Sequence, residues 1–227
     1  MAVTDFTADT RLYDCSFCAL DLETTGVNPL IHEIVEVAAL RFSLEGGIER
    51  VFHRLVKPAG KIPVEATALH GITGAMTADA PEIADVIRKI FNFIAPSIVV
   101  AHNVSFDITF LVMAWGRKGT PVINAIDSER AARRAFPGLD TYRLEALCSR
   151  LGATIGPHRA LPDAYGSMEV FRASLEKLDP GGKWTVGEMI RRFGQLQRPW
   201  RKASNARKNM AAVPVSRGKA MLIRYRG

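Results

Sequence analysis

Residues 17–22 are almost wholly apolar and run straight into Asp-Leu-Glu at positions 21 to 23. A short run of this kind reads as a strand buried on both faces, which requires packed elements above and below a sheet. Residues two apart on a strand share a face, so Asp21 and Glu23 project side by side from its end. Two carboxylates held that close repel unless a cation is shared between them. Oxygen-only ligands suit Mg²⁺ or Mn²⁺ rather than zinc, so the strand end predicts a metal.

A second apolar run, residues 97–101, predicts another short buried strand. Ser105 then reads as a helix N-cap ahead of Phe106, Phe110, Leu111 and Trp115, which fall roughly on one helical face. This places Asp107 in a first helical turn beside the C-terminal edge of a sheet, where α/β proteins commonly build sites. Asp163 follows Pro162, and proline is favoured at the first position of a helix. Leu161 precedes that proline and is biased towards extended backbone, so His158 falls on the approach loop near the carboxylates. A lone Asp-x-Glu or a lone first-turn Asp is ordinarily a solvated strand end or a cap. Five such residues in matched contexts point to a site.

The segments FCALDLETTG, AHNVSFD and HRALPDA resemble the three motifs of the DEDDh (DnaQ-like) 3′–5′ exonucleases, the superfamily that includes the epsilon proofreading subunit of bacterial DNA polymerase III. The resemblance covers residues 17–178, and the pattern H-x-A-x-x-D marks the histidine rather than the tyrosine subclass. It implies an α/β protein of the ribonuclease H-like exonuclease fold, with a mixed central sheet whose first three strands are antiparallel and whose later strands are parallel, flanked by helices. It also implies two divalent cations, Mg²⁺ or Mn²⁺. Asp21, Glu23 and Asp163 would hold one, and Asp21 would bridge to a second supported by Asp107, partly through water. His158 would take the proton of the attacking water, a task suited to imidazole near neutral pH. The stretch LHGIT, with His70 and Ile72, is similar to the family segment that packs near the terminal nucleotide.

Other residues have two readings. Thr24 and Thr25 can bond a terminal nucleotide's sugar and phosphate, or simply form a turn before Val27. Phe106 can stack on a base or belong to the core. His102 and Asn103 can reach substrate or organise the loop before the helix, with the loop role favoured for His102. His32 and His53 read as ordinary surface or turn histidines.

Residues 34–42 and 51–56 read as an antiparallel hairpin about Glu45-Gly46-Gly47. Helical patterns follow at 81–94 and 144–151, a strand at 122–127, and a final helix at 162–178 stopped by Asp179-Pro180-Gly181-Gly182. The expected organisation is a catalytic domain over 1–180 and a basic extension over 181–227.

Net charge is +7, yet residues 1–180 carry −4 while 181–227 carry +11, with Glu188 the single acid among twelve Lys or Arg. That extension reads as an electrostatic arm on nucleic acid, with Trp200 and Tyr225 as stacking groups, or as a segment folding on a polymerase or other protein, or as a solubilising tail. No apolar run approaches the roughly 18 residues needed to span a bilayer, so no membrane partner is expected. The acidic N-terminus lacks a secretory pattern, and Cys15, Cys18 and Cys148 read as buried free thiols, so a cytoplasmic location is expected.

The expected activity is a metal-dependent 3′–5′ exonuclease that releases nucleoside monophosphates from single-stranded or frayed 3′ ends of DNA in proofreading or repair. The alternatives are an exoribonuclease trimming RNA 3′ ends, which uses the same site, and a nucleic-acid-binding or polymerase accessory protein whose nuclease site is secondary.

Overall fold

The apolar run forms β1 (Phe17–Thr24), which pairs antiparallel with β2 (Ile34–Ser43) on one side and parallel with β4 (Ile98–Ala101) on the other. The structure is a computed structural model that describes residues 6–95, 97–116, 121–153, 156 and 158–196. β2 pairs antiparallel with the edge strand β3 (Gly47–Leu55), β4 pairs parallel with β5 (Asn124–Asp127), and β5 pairs antiparallel with β6 (Gly194–Leu196). The resulting order is β3-β2-β1-β4-β5-β6, the mixed sheet expected, with one more antiparallel strand closing its far edge.

Strand alternation divides the core into two layers. Cys18, Leu20 and Leu22 of β1 pack with α3 (Ile83–Ile94) and α4 (Val104–Trp115) on one face. Phe17 and Ala19 pack on the opposite face with α7 (Ala160–Leu178) and α8 (Val186–Phe193). Continuing the alternation puts Asp21 and Glu23 on the α7 face. Phe171 of α7 is fixed there against Phe17 and Phe42, with ring centroids 5.2 and 6.4 Å away. The remaining helices are α1 (Val64–His70), α2 (Gly74–Thr77), α5 (Ser128–Ala135) and α6 (Leu144–Arg150), and α6 joins a small cluster in which Leu147 and Cys148 meet Val170 of α7.

Three boundaries differ from the sequence reading for identifiable reasons. α4 begins at Val104, so its N-cap is Asn103 rather than Ser105; Asn103 sits in the left-handed region at φ 62°, which Asn tolerates better than most residues. α7 begins at Ala160, so Leu161 is helical rather than extended and Pro162 lies within the first turn. A proline is tolerated there because first-turn N–H groups have no intrahelical acceptor, and the Ala160 N–H is taken by the Glu36 carboxylate at 2.9 Å. β3 starts at Gly47, four residues before the strand expected at 51, leaving a tighter turn after β2.

Residues 186–196 pack against the sheet. Thr185 and Glu188 make a reciprocal capping box at the start of α8, Val186, Met189 and Phe193 are buried with the α7 layer, and β6 extends the sheet. The part of the extension beyond residue 196 lies outside the described residues. Among the described residues no helix is long and apolar enough to cross a membrane. Removing everything after Leu178 should therefore lower the urea midpoint sharply, whereas a cut after Leu196 should leave it near that of the full chain. Phe171→Ala should cost about 3–5 kcal/mol, the usual range for emptying an aromatic core site, as read by urea unfolding.

Candidate active site

Asp21, Glu23 and Asp163 each offer a carboxylate oxygen, and these oxygens lie within 4.8 Å of one another. The two strand residues reach this point through the alternation of β1, and Asp163 arrives from the first turn of α7, which lies across the same face. Glu23 and Asp163 are buried and Asp21 is partly exposed. Asp107 approaches from the first turn of α4. Its Oδ1 accepts from the Leu22 N–H at 3.1 Å, beyond the last β1–β4 pair, so the carboxylate sits where β1 has outrun its parallel neighbour. All four acids expected to act together are thus brought together. Three converging carboxylates, two of them on buried residues, make an all-oxygen donor set suited to a hard divalent cation.

A cleft opens beside this cluster, lined by Asp21, Glu23, Thr24, Leu69, Phe106 and Asp107 among others. Phe106 is partly exposed and lines this cleft, while its ring packs on Phe110 at 4.9 Å. Thr24 and Thr25 use their hydroxyls in the turn after β1. Thr24 Oγ1 donates to the Gly26 carbonyl at 2.8 Å, and Thr25 Oγ1 accepts from the Glu33 N–H at 3.0 Å. Gly26 is needed in that turn because a Cβ there would meet the His32 ring at 2.6 Å. His70 is buried at the end of α1, where its Nδ1 accepts from the Ile72 N–H at 3.0 Å. Ile72 is fully buried and so supports the LHGIT segment from within, and Ala66 and Leu69 of α1 line the cleft.

His102 and Asn103 hold the loop between β4 and α4. The Tyr142 carbonyl, which can only accept, lies 2.8 Å from His102 Nε2, so that nitrogen carries the proton and Nδ1 accepts from the Ser128 hydroxyl at 3.0 Å. The Asn103 N–H points to Asp127 Oδ1 at 3.4 Å, and the same carboxylate caps α5 through the N–H groups of Glu129 and Arg130. Burial pushes the His102 imidazole below its ordinary titration range and the Asp127 carboxyl above its own.

His158 lies on the loop before α7, as expected, and its Nδ1 is 3.2 Å from Glu145 Oε1 of α6. Glu36, Arg159 and His53 were not anticipated. Glu36 is buried on β2, directly across the sheet from Glu23 in the β1–β2 register. Its oxygens accept from Arg159 Nε at 3.1 and 3.0 Å and from Arg159 Nη2 at 2.5 Å, and its Oε1 lies 2.8 Å from His53 Nε2. His53 is thus a partner of a buried carboxylate and not the ordinary surface histidine expected. Burial pushes the Glu36 carboxyl up, but the bonds from Arg159, His53 and the Ala160 N–H outweigh it and hold the group below the usual carboxylate range. A charged residue inside the apolar stretch IVEVAAL was the available signal, since a buried charge must find a partner.

The three cysteines are free and buried, and burial raises the thiols of Cys18 and Cys148 to about 12 and that of Cys15 to about 11.

The sheet and its acidic cluster define an α/β protein with a site fitted to a divalent cation, and comparison with known proteins places it further. The family model described as Exonuclease (RNase_T) matches residues 18–171, and the chain belongs to this exonuclease family. It is 37% identical to the DNA polymerase III subunit epsilon of Aquifex aeolicus over 172 residues, covering 74% of this chain and 84% of that one. It is 36% identical over 203 residues to a DNA polymerase III subunit epsilon-like protein of Rhodobacter capsulatus, covering 84% of this chain but 28% of that relative, and it spans only 14% of the PolC-type DNA polymerase III of Thermotoga maritima. Among solved structures, exonuclease X in complex with 5′ overhanging duplex DNA superposes with a TM-score of 0.61 at 32% identity, covering 76% of this chain and 96% of that one. Escherichia coli exonuclease I, at 20% identity, 74% and 42% coverage and a TM-score of 0.61, shares the fold.

The depressed titration of His102 has a stability consequence with a definite sign. Below about 6.5 the unfolded chain takes up a proton that the folded protein refuses, so this residue's contribution falls as pH drops from 7 towards 5. Urea unfolding at the two pH values should show a smaller acid loss for His102→Gln than for the parent, whatever the variant's stability at pH 7.

Proposed function

We propose that this chain is a metal-dependent 3′–5′ exonuclease that acts on 3′ ends of DNA in a proofreading or repair setting. The observation carrying the reading is the convergence of Asp21, Glu23 and Asp163 on one face of the sheet, with Asp107 at the same strand end. The epsilon-subunit relatives and the DNA-bound exonuclease X support a DNA substrate.

Asp21, Glu23 and Asp163 would hold one divalent cation, and Asp107 together with Asp21 a second, either Mg²⁺ or Mn²⁺. When bound, such cations polarise a water and neutralise charge developing on the phosphate. The side chains supply the rest. His158 takes the proton of the attacking water, and the Glu145 carboxylate, 3.2 Å from Nδ1, places negative charge beside the ring that favours its uptake. Phe106 offers the cleft an aromatic face for a base, and Leu69 and Ala66 form its apolar wall. Thr24, Thr25, His70 and Asn103 shape the turns around the terminal nucleotide, and Ile72 supports them from the interior. Nine Lys or Arg and no acid follow Leu196, a composition suited to an arm tracking a phosphate backbone or docking on a polymerase. Buried free thiols suit a cytoplasmic location.

The test incubates 5′-labelled single-stranded DNA and RNA with protein in Mg²⁺, Mn²⁺ or EDTA. A ladder shortening from the 3′ end, faster on DNA, lost in EDTA and absent from Asp21→Ala, is expected. Faster RNA cleavage would redirect the reading to RNA trimming, and no ladder with tight binding would make this an accessory protein. His158→Ala should keep oligonucleotide affinity and lose about 10²–10⁴-fold in turnover, the usual share of a general base. A cut after Leu196 should preserve cleavage of short oligonucleotides while flattening the salt dependence of binding to long ones. Unchanged affinity for long strands at low salt would eliminate the arm.

A further inference from the structure

Glu36 occupies an unusual place for a carboxylate. It faces α7 together with Ala38, Leu40 and Phe42, its side chain is fully buried, and its cross-strand neighbour is Glu23 of the cluster. Like charges directly opposite one another across an antiparallel pair destabilise it, so a second acid here requires a compensating cation of its own. Arg159 is that cation, and its forked bonds to both Glu36 oxygens fix direction as well as distance. Arg159 stands between His158 and the first helical residue, Ala160, whose N–H also donates to Glu36. The backbone of Arg159 then accepts from the Asp163 N–H at 3.1 Å. A single carboxylate on β2 therefore ties down both the side chain of residue 159 and the backbone of residue 160, where the approach loop becomes α7.

Resting on the exonuclease reading above, we propose that Glu36 and Arg159 are positioning residues for the hydrolysis, acting through His158. The pair clamps the loop-to-helix junction to the central sheet, so that the imidazole one residue upstream is held in register with carboxylates anchored on β1. His53, from the edge strand, completes the clamp, its Nε2 lying 2.8 Å from Glu36 Oε1. Arg159 is spent on Glu36, which keeps that acid out of the cation's donor set and leaves Glu23 to serve it.

The proposal is tested by a double-mutant cycle on the full chain under single-turnover conditions with a short DNA oligonucleotide. Arg159→Gln and Glu36→Gln are measured alone and combined with His158→Ala, beside thermal melts, KM and the Mn²⁺ concentration giving half-maximal rate. In the parent background each variant should lose roughly 10²-fold in kcat, the scale set by a misplacement of about 1 Å, with KM and half-maximal Mn²⁺ within about two-fold. In the His158→Ala background the same substitutions should cost less than about three-fold, because the group they position is gone. If Arg159→Gln melts below the assay temperature, Arg159→Lys carries the same cycle. It retains the charge but not the fork, and should show the same loss and the same collapse of that loss without His158. Equal losses in both backgrounds, a loss that follows KM or Mn²⁺ demand, or no loss at all would overturn the proposal. The parent ladder is measured first: its absence removes the exonuclease reading and this proposal with it, whereas a normal ladder with additive losses removes this proposal alone.

Discussion

Five carboxylates, Asp21, Glu23, Glu36, Asp107 and Asp163, gather where β1 and β2 meet the starts of α4 and α7, and four of them are buried. Burying unpaired negative charge costs several kcal/mol per ion, so this end of the sheet is viable only if cations are supplied. The protein answers in two ways. Glu36 receives an internal cation, Arg159, along with a backbone N–H and His53, and its carboxyl stays ionised despite complete burial of the side chain. Asp107 accepts a backbone N–H from β1. Asp21, Glu23 and Asp163 converge to within 4.8 Å of one another, and a divalent ion held there would offset their mutual repulsion. The chain has thus placed local electrostatic cost where chemistry is expected, and the aromatic packing of Phe17, Phe42 and Phe171 behind it carries the offsetting stability.

Much of this was legible because strands have a period of two. The identity of residues 17–23 alone places two carboxylates on one face, and the first-turn positions of Asp107 and Asp163 follow from local helix signals. What could not be read was tertiary. The α7 boundary depends on a carboxylate 124 positions away in sequence capturing the Ala160 N–H, and no window around Pro162 contains that information. His53 looked ordinary for the same reason, since its partner is on a neighbouring strand. The burial of Ile72 was hidden too, because LHGIT does not reveal which of its side chains turns inward once Gly71 adopts φ 72°. Conversely, Glu36 did carry a usable signal, a charge at an inward position of a strand that is otherwise apolar.

On the proposed reading, the acidic body and the basic extension would divide chemistry from binding. A body of net −4 repels a polyanion at long range, so approach by nucleic acid depends on bound cations at the cluster and on positive charge elsewhere. The extension supplies that charge, and its first part, α8 and β6, is welded to the far edge of the sheet by buried Val186, Met189 and Phe193.

α7 links the chemistry to the core more directly. It is pinned at its start by the Glu36 carboxylate and two turns beyond Asp163 by Phe171 on the aromatic group, so the position of Asp163 is determined from both sides. His158 stands just outside the first pin, partly exposed and facing Glu145. A hydrolytic base must engage a water and then release its proton, whereas a metal ligand must hold still. If Asp163 holds a cation and His158 is the base, placing the carboxylate inside the pinned helix and the imidazole one residue beyond the clamp would meet both demands with one element. On the proposed roles, the Glu36–Arg159 pair would be the point at which rigidity of the sheet is converted into placement of the base.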